Sequence, residues 1–434
     1  MNRRLLLFIL FPYSLNIAYI YLLYLLSIIG EKMQNPAFEQ LATYPFWRLA
    51  KLLENVPKAD GLEEIALQIG EPKIPPPNFV AETIAENAEK WANYPPHPGT
   101  DTYRAACAGW LTRRYGLPDG MIGGETHVLP CAGTKEALFH MGLLSVPRDR
   151  PTGNQKPFAV LVPNPVYQVY YGAAVFSGGE PYPIAAPAEN NFMPDYAGLD
   201  PDILERTALV YLCNPSNPQG ASASMEYLTE LIGLARQHDF VLVFDECYSE
   251  IYRGTPPVGG LQACAHLGGD LDNILVLHSL SKRSSAPGLR CGFVAGDPKL
   301  IDLYRTIRSY ASVAVPLPLL AAGEALWNDE AHVDINRNHY VELFAMAEKI
   351  LGHVPGFTNP PGGFYLWLDV GDGEEAALKL WREAAVRCMP GGYMAQDDPF
   401  TGTNPVSQYL RICLVHDKAT AEEALTRVAK VLEA

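Results

Sequence analysis

The chain has 434 residues, 48% of them apolar and 19% charged, with a formal net charge of -15. That length and apolar share predict a large core, one big domain and a smaller companion, and exclude a small disulfide scaffold. The acidic balance leaves no electrostatic footprint for nucleic acid or an anionic membrane surface, so neither is expected as a partner and any anion must be held by local groups.

Leu5 to Ile29 form an uncharged, mostly apolar run of 25 residues behind Arg3 and Arg4, long enough to span a bilayer. The run is too long for a signal-peptide core and lacks a small-residue cleavage site. An anchor with the two arginines inside would export everything downstream, eight cysteines included, into an oxidising compartment. Those cysteines form no C-x-x-C pair, so buried reduced thiols in the cytoplasm and no metal are expected. Residues 1–32 are therefore read as an extension ahead of a start at Met33, with an anchor or a peripheral helix as the alternatives.

From Met33 the chain reads as one continuous globular unit without repeats. Residues 33–75 are expected to begin the smaller domain, 76–303 to form the large one, and 304–434 to complete the smaller α+β part. Apolar runs at 158–163, 208–213, 240–245, 274–279 and 291–296 are predicted strands, and Met225 to Gln237 a helix between two of them. Strands apolar on both faces and separated by helices predict an α/β fold, with a mainly parallel central sheet covered by helices on both faces. Ligands of such sheets bind beyond the carboxyl ends of the strands.

The polar motifs follow those ends. In LPCAGTKEALFHMGLL, Gly133 and Thr134 open a helix whose free N–H groups suit a phosphate, as those of any capped helix would. Tyr94, in NYPPHPGTDTYRAA, and Tyr167, in PNPVYQVY, are aromatic candidates for the pocket wall, or core plugs. Asn217 lies in YLCNPSNPQG, also an ordinary turn sequence. FVLVFDECYSEIY places Asp245 at a strand end and Tyr248 one turn on; the carboxylate suits a protonated heterocyclic nitrogen, or a helix N-cap. In NILVLHSLSKRSSAPGLRCGFVAGD, Lys282 sits just past a buried strand beside Arg283, where desolvation and a neighbouring cation suit carbonyl capture. Ser279, Ser281 and Arg290 supply an anion site within reach, although a solvated turn would carry the same residues. Arg411 lies among apolar residues in YLRICL, where a guanidinium needs a carboxylate, either a substrate's or an internal partner's.

In this order, LQIGEP at 67–72, the Tyr94 loop, AGT at 132–134, the Tyr167 loop, NPSNPQG, DECYSE, SLSK with Arg290, PPGGFYLW and YLRICL resemble the class I/II aminotransferases of fold type I. The resemblance covers nearly all of residues 33–434. It implies pyridoxal 5′-phosphate held as a Schiff base on Lys282, with amino acids and 2-oxo acids as substrates and ping-pong turnover. Gly133, Thr134, Ser279, Ser281 and Arg290 would hold the phosphate, and Tyr94 would reach it from the neighbouring subunit of a homodimer. Tyr167 would stack on the ring, Asp245 would pair with its nitrogen, and Asn217 and Tyr248 would bind its phenolic oxygen. Gly70 and Arg411 would receive the substrate α-carboxylate, and Asn217 would bind substrate as well. Lys135 departs from the smaller or polar residues frequent at its position.

Within the family, the run from Ser281 to Asp297 is most similar to the bacterial N-succinyldiaminopimelate aminotransferases of lysine biosynthesis. That similarity implies transfer from L-glutamate to N-succinyl-2-amino-6-oxopimelate, with Lys73, Arg283 and Arg308 as candidates for a distal carboxylate. Enzymes acting on aspartate, alanine or aromatic amino acids share much of the run, and the same fold and lysine serve β-lyases. A cofactor-sensing regulator would need a DNA-binding module, and no such motif is present.

Overall fold

The computed structural model describes residues 35–41, 43–148, 156–398 and 401–433. The apolar run at 5–29 therefore lies outside the described residues. The chain divides into two compact units, Met1–Ala42 and Thr43–Ala434. In the first, the described part is the single turn Pro36–Gln40, capped by the Asn35 side chain. Among the described residues no helix is long and apolar enough to cross a membrane.

The second unit is built on a seven-stranded sheet. Its strands are β1 Val128–Cys131, β2 Ala159–Asn164, β3 Glu180–Ala185, β4 Thr207–Cys213, β5 Val241–Asp245, β6 Ile274–Ser279 and β7 Gly292–Gly296. The spatial order is β1-β7-β6-β5-β4-β2-β3. Only β7 runs against its neighbours; the other pairs are parallel. The predicted apolar runs are β2, β4, β5, β6 and β7, each displaced by no more than one residue. The expected helix after β4 is Met225–His238, capped by Ser224, whose hydroxyl accepts from the Tyr227 N–H at 3.2 Å. The strands that escaped sequence reading, β1 and β3, are the two edges. Pro130 in β1 and Pro181 and Pro183 in β3 interrupt the strand signal, and an edge tolerates the missing donors.

Alternation along each strand divides the core into two layers. Leu209 and Tyr211 pack with Leu138, Met141, Tyr170 and Tyr304 on one face. Val210 and Leu212 pack with Trp110, Leu231 and Trp327 on the other. A separate hydrophobic core lies around a three-stranded antiparallel sheet of β8 Tyr365–Asp369, β9 Met389–Pro390 and β10 Tyr409–Cys413. Helices Ala331–Leu351, Gly373–Ala384 and Lys418–Leu432 contribute to that core together with Ile65 and Leu67. The helix Pro298–Ala311 runs across the division expected after residue 303, and Leu320, Leu326 and Trp327 pack in the central-sheet core. All eight cysteines are free thiols.

Register places the chemistry. Cys213 lies opposite Asp245, and Asp245 opposite Leu277 two residues before the end of β6, so the Asn217 loop, Asp245 and Lys282 emerge at one edge of adjacent parallel strands.

Candidate active site

A cleft of about 330 Å³ opens at that edge, lined by Gly70, Thr134, Tyr167, Asn217, Asp245, Tyr248, Ser279, Ser281, Lys282, Arg290 and Arg411 among others. Lys282 is carried by the short helix Leu280–Arg283, which Ser279 starts by accepting the Ser281 N–H at 3.1 Å. The Lys282 Nζ donates to the Gly70 carbonyl at 2.5 Å and lies 5.2 Å from the centroid of the Phe364 ring. Burial pushes its ammonium down to about 8, and the nearby Arg411 guanidinium adds to the shift. A lysine with that pKa is partly a free amine at neutral pH, the form that attacks carbonyls.

Asp245 is buried at the end of β5, and no helix follows it, which removes the capping alternative. Its Oδ2 accepts from the Tyr170 hydroxyl at 2.6 Å and its Oδ1 from the Cys247 N–H at 3.3 Å. Burial raises the carboxyl above the usual range, while those two donors favour the anion. Tyr170 lies flat on Tyr211, with ring centroids 4.5 Å apart at 7°, which fixes the direction of its hydroxyl. Tyr248 is buried, and its hydroxyl meets that of Tyr365 at 2.6 Å.

Arg411 owes its direction to strand period. Leu410 and Ile412 enter the core around β10, so the residue between them faces the other way, into the cleft. Its guanidinium donates to the Asn217 Oδ1 at 3.1 Å and the Gln68 carbonyl at 2.7 Å, while the buried Nε has no hydrogen-bond partner among the described residues. Among the described residues it forms no ion pair, so the internal salt bridge that sequence left open is not made. A Cβ at Gly70 would stand 2.5 Å from the Tyr365 hydroxyl, so the loop beside Lys282 takes no side chain there.

The anion end of the cleft is the start of helix Thr134–Ser145. Gly133 has φ 82°, and a Cβ on it would lie 1.9 Å from an Arg290 Nη, so the guanidinium can sit against the helix start only because this residue is glycine. Arg290 is held by the Pro287 carbonyl at 2.8 Å and the Ala132 carbonyl at 3.2 Å. The Ser279 and Ser281 hydroxyls are 2.9 Å apart, and the Thr134 Oγ1 lies 3.1 Å from the Cys247 Sγ.

Three predicted cations fall elsewhere. Arg283 follows Lys282 around a helical turn of about 100° per residue, and its guanidinium turns into the core between Trp110 and Trp327, bonded to Glu330 at 2.9 Å. Arg308 is buried and donates to the Ser312 hydroxyl at 3.0 Å, and Lys73 pairs with Glu71 at the surface. None of the three lines the cleft. Lys135 does, exposed at the rim with its Nζ 5.9 Å from the Tyr44 ring centroid. Tyr94 is fully exposed and does not reach the cleft of its own chain. Sequence reading passed over Tyr44, Tyr170, Cys247 and Tyr365, which also line the cleft. Tyr170 and Tyr365 sit in apolar runs whose local signal is that of core filler; only the partner of each hydroxyl distinguishes them.

The arrangement fits pyridoxal 5′-phosphate. A lysine with a lowered pKa suits the aldehyde and a buried carboxylate suits the ring nitrogen. The helix start, two serine hydroxyls and Arg290 suit the phosphate.

Comparison with known proteins agrees. The family model "Aminotransferase class I and II" matches residues 63–428. A crystal structure of an aminotransferase from Neisseria meningitidis Z2491 superposes with a TM-score of 0.86 at 37% identity, covering 92% of this chain and all of the other. The 4-dedimethylamino-4-oxo-anhydrotetracycline transaminase OxyQ of Streptomyces rimosus is 31% identical over 86% of this chain and 93% of its own length. The LL-diaminopimelate aminotransferase of Syntrophobacter fumaroxidans is 29% identical over 90% of this chain and 97% of its own. With a lysine, a carboxylate and an anion cup in one cleft and the family match over most of its length, this chain belongs to the class I and II aminotransferases and depends on pyridoxal 5′-phosphate.

Proposed function

We propose that the enzyme transfers the amino group of L-glutamate to N-succinyl-2-amino-6-oxopimelate, giving N-succinyl-LL-2,6-diaminopimelate and 2-oxoglutarate, in the cytoplasm and as a homodimer with shared active sites. The observation that carries the reading is Arg411, a buried guanidinium with no carboxylate partner among the described residues, facing the same cleft as Lys282. An α-carboxylate bonded there would place the substrate amine toward Lys282. Lys135 at the rim is a cation for a second, distal carboxylate, whereas Lys73, Arg283 and Arg308 do not line the cleft.

Pyridoxal 5′-phosphate, when bound, supplies the electron sink that makes loss of the Cα proton possible. The chain supplies the rest. Asp245 would pair with the protonated ring nitrogen, Tyr248 and Asn217 would bind the phenolic oxygen, and the Lys282 Nζ would take up and return the Cα proton. A second reading, direct transamination of LL-diaminopimelate, draws on the name of the Syntrophobacter relative.

The test is a coupled assay of the full chain with pyridoxal 5′-phosphate, glutamate and the succinylated acceptor, in parallel with oxaloacetate, pyruvate and phenylpyruvate, and with LL-diaminopimelate as donor to 2-oxoglutarate. Preference for the succinylated acceptor, lost in Lys282→Ala, supports the proposal. Preference for LL-diaminopimelate selects the second reading, and steady pyruvate and ammonia release from cystathionine without a 2-oxo acid would replace both with a β-lyase.

A further inference from the structure

Tyr365, the first residue of β8, touches three elements of the site at once. Its side chain is buried, with 2% exposure, yet it lines the cleft. Its hydroxyl lies 2.6 Å from that of Tyr248, and no other hydrogen-bond partner is present among the described residues. Its ring carries the Arg411 guanidinium 4.8 Å from the centroid. Its edge closes on Gly70, whose carbonyl receives the Lys282 Nζ. Pairing of Tyr365 with Cys413 in the β8–β10 ladder fixes the backbone two residues from Arg411.

Each phenol in the Tyr248–Tyr365 pair has one proton to give. On the functional reading above, Tyr248 donates into the cleft, to the phenolic oxygen of the cofactor. Its own oxygen must then accept, and Tyr365 is the donor in place. A phenol that accepts one hydrogen bond becomes a stronger donor of another, because the two bonds polarise each other in the same direction. The ring face of Tyr365, electron-rich at its centre, meanwhile favours a guanidinium laid over it and limits the positions the Arg411 fork can take.

We propose that Tyr365 is a positioning residue with two separable actions: its hydroxyl directs the Tyr248 proton into the cleft, and its ring face holds Arg411 where a substrate carboxylate binds. Burial keeps the Tyr365 phenol protonated well beyond the working pH, so the donor is present throughout. The inference rests on the proposed cofactor geometry but not on which amino acid is the substrate.

Two variants separate the actions, each made in the full chain loaded with pyridoxal 5′-phosphate. One readout is the pH midpoint at which the bound chromophore changes absorbance; the other is the Kd for glutarate, a dicarboxylate that cannot be transaminated. Tyr365→Phe removes the hydroxyl alone. Weaker donation by Tyr248 then stabilises the anionic ring oxygen less, and the midpoint is expected to rise by about half to one pH unit, with glutarate binding changed less than about twofold. Tyr365→Leu removes the ring as well, and the glutarate Kd is expected to rise about tenfold in addition. Because the hydroxyl acts through Tyr248, Tyr365→Phe made in a Tyr248→Phe background is expected to add no further midpoint shift. An unchanged midpoint in Tyr365→Phe, a shift that persists in the Tyr248→Phe background, or unchanged glutarate binding in Tyr365→Leu would overturn the proposal. If the unaltered chain forms no coloured complex with pyridoxal 5′-phosphate, it is the functional reading that fails. Matching near-UV circular dichroism confirms that the variants fold.

Discussion

Lys282 and Arg283 are adjacent cations with different surroundings, one facing the cleft and one between two tryptophans. Burial favours the neutral form of the Lys282 amine, so its reactive fraction grows as pH rises and saturates once the ammonium has titrated near 8. The rate at which the cofactor-free chain captures pyridoxal 5′-phosphate is therefore expected to climb about tenfold per pH unit below that value and to level above it. Stopped-flow absorbance checks this; a rate still climbing at pH 10 would mean that the lysine is not desolvated. Asp245 depends on Tyr170 in a similar way. Burial works against its charged form and a hydroxyl 2.6 Å away works for it, so Tyr170→Phe is expected to weaken cofactor binding by about tenfold in equilibrium dialysis. Unchanged retention would show that the Cys247 N–H suffices. Lys282, Asp245 and Arg411 were candidates in the sequence because a charge at the end of, or inside, an apolar run is costly, and the order of motifs shared with the family singled them out. Tyr170 and Tyr365 were not, since a tyrosine in such a run is unremarkable until its hydroxyl is seen to face another polar group.

At the scale of elements, adjacent parallel strands end together, and the loops that leave them share one edge. β4, β5 and β6 were readable as apolar runs, and so was the side on which a ligand would bind. The edge strands β1 and β3, broken by prolines, were not. The helix start at Gly133 shows how an element makes a binding site without a distinctive side chain. Its positive φ and the Arg290 guanidinium packed against it leave no room for a Cβ. Gly133→Ala is expected to lower affinity for pyridoxal 5′-phosphate by about ten- to a hundredfold through strain and displacement of Arg290, while pyridoxal, which lacks the phosphate, is held as before. Fluorescence titration with the two compounds distinguishes them, and equal loss for both would place the damage in the ring site instead.

For the whole molecule, the exposed Tyr94 is the residue through which a dimer would share its sites. We expect Tyr94→Ala and Lys282→Ala each to lose most activity, and a refolded equal mixture to regain about a quarter of that of the unaltered enzyme, because half the dimers would be mixed and each would hold one intact site. A mixture no more active than its components would remove Tyr94 from the shared site. The fold class and the strands that lead to the cleft were determined by sequence alone, since the period of apolar residues is a local property. Tertiary structure decided which cations face the cleft: Arg283 and Arg308 turn into the core, Lys73 pairs at the surface, and Lys135 reaches the rim. It also decided which tyrosine hydroxyls meet a polar partner, because both outcomes depend on neighbours distant in sequence that only packing brings within hydrogen-bond reach.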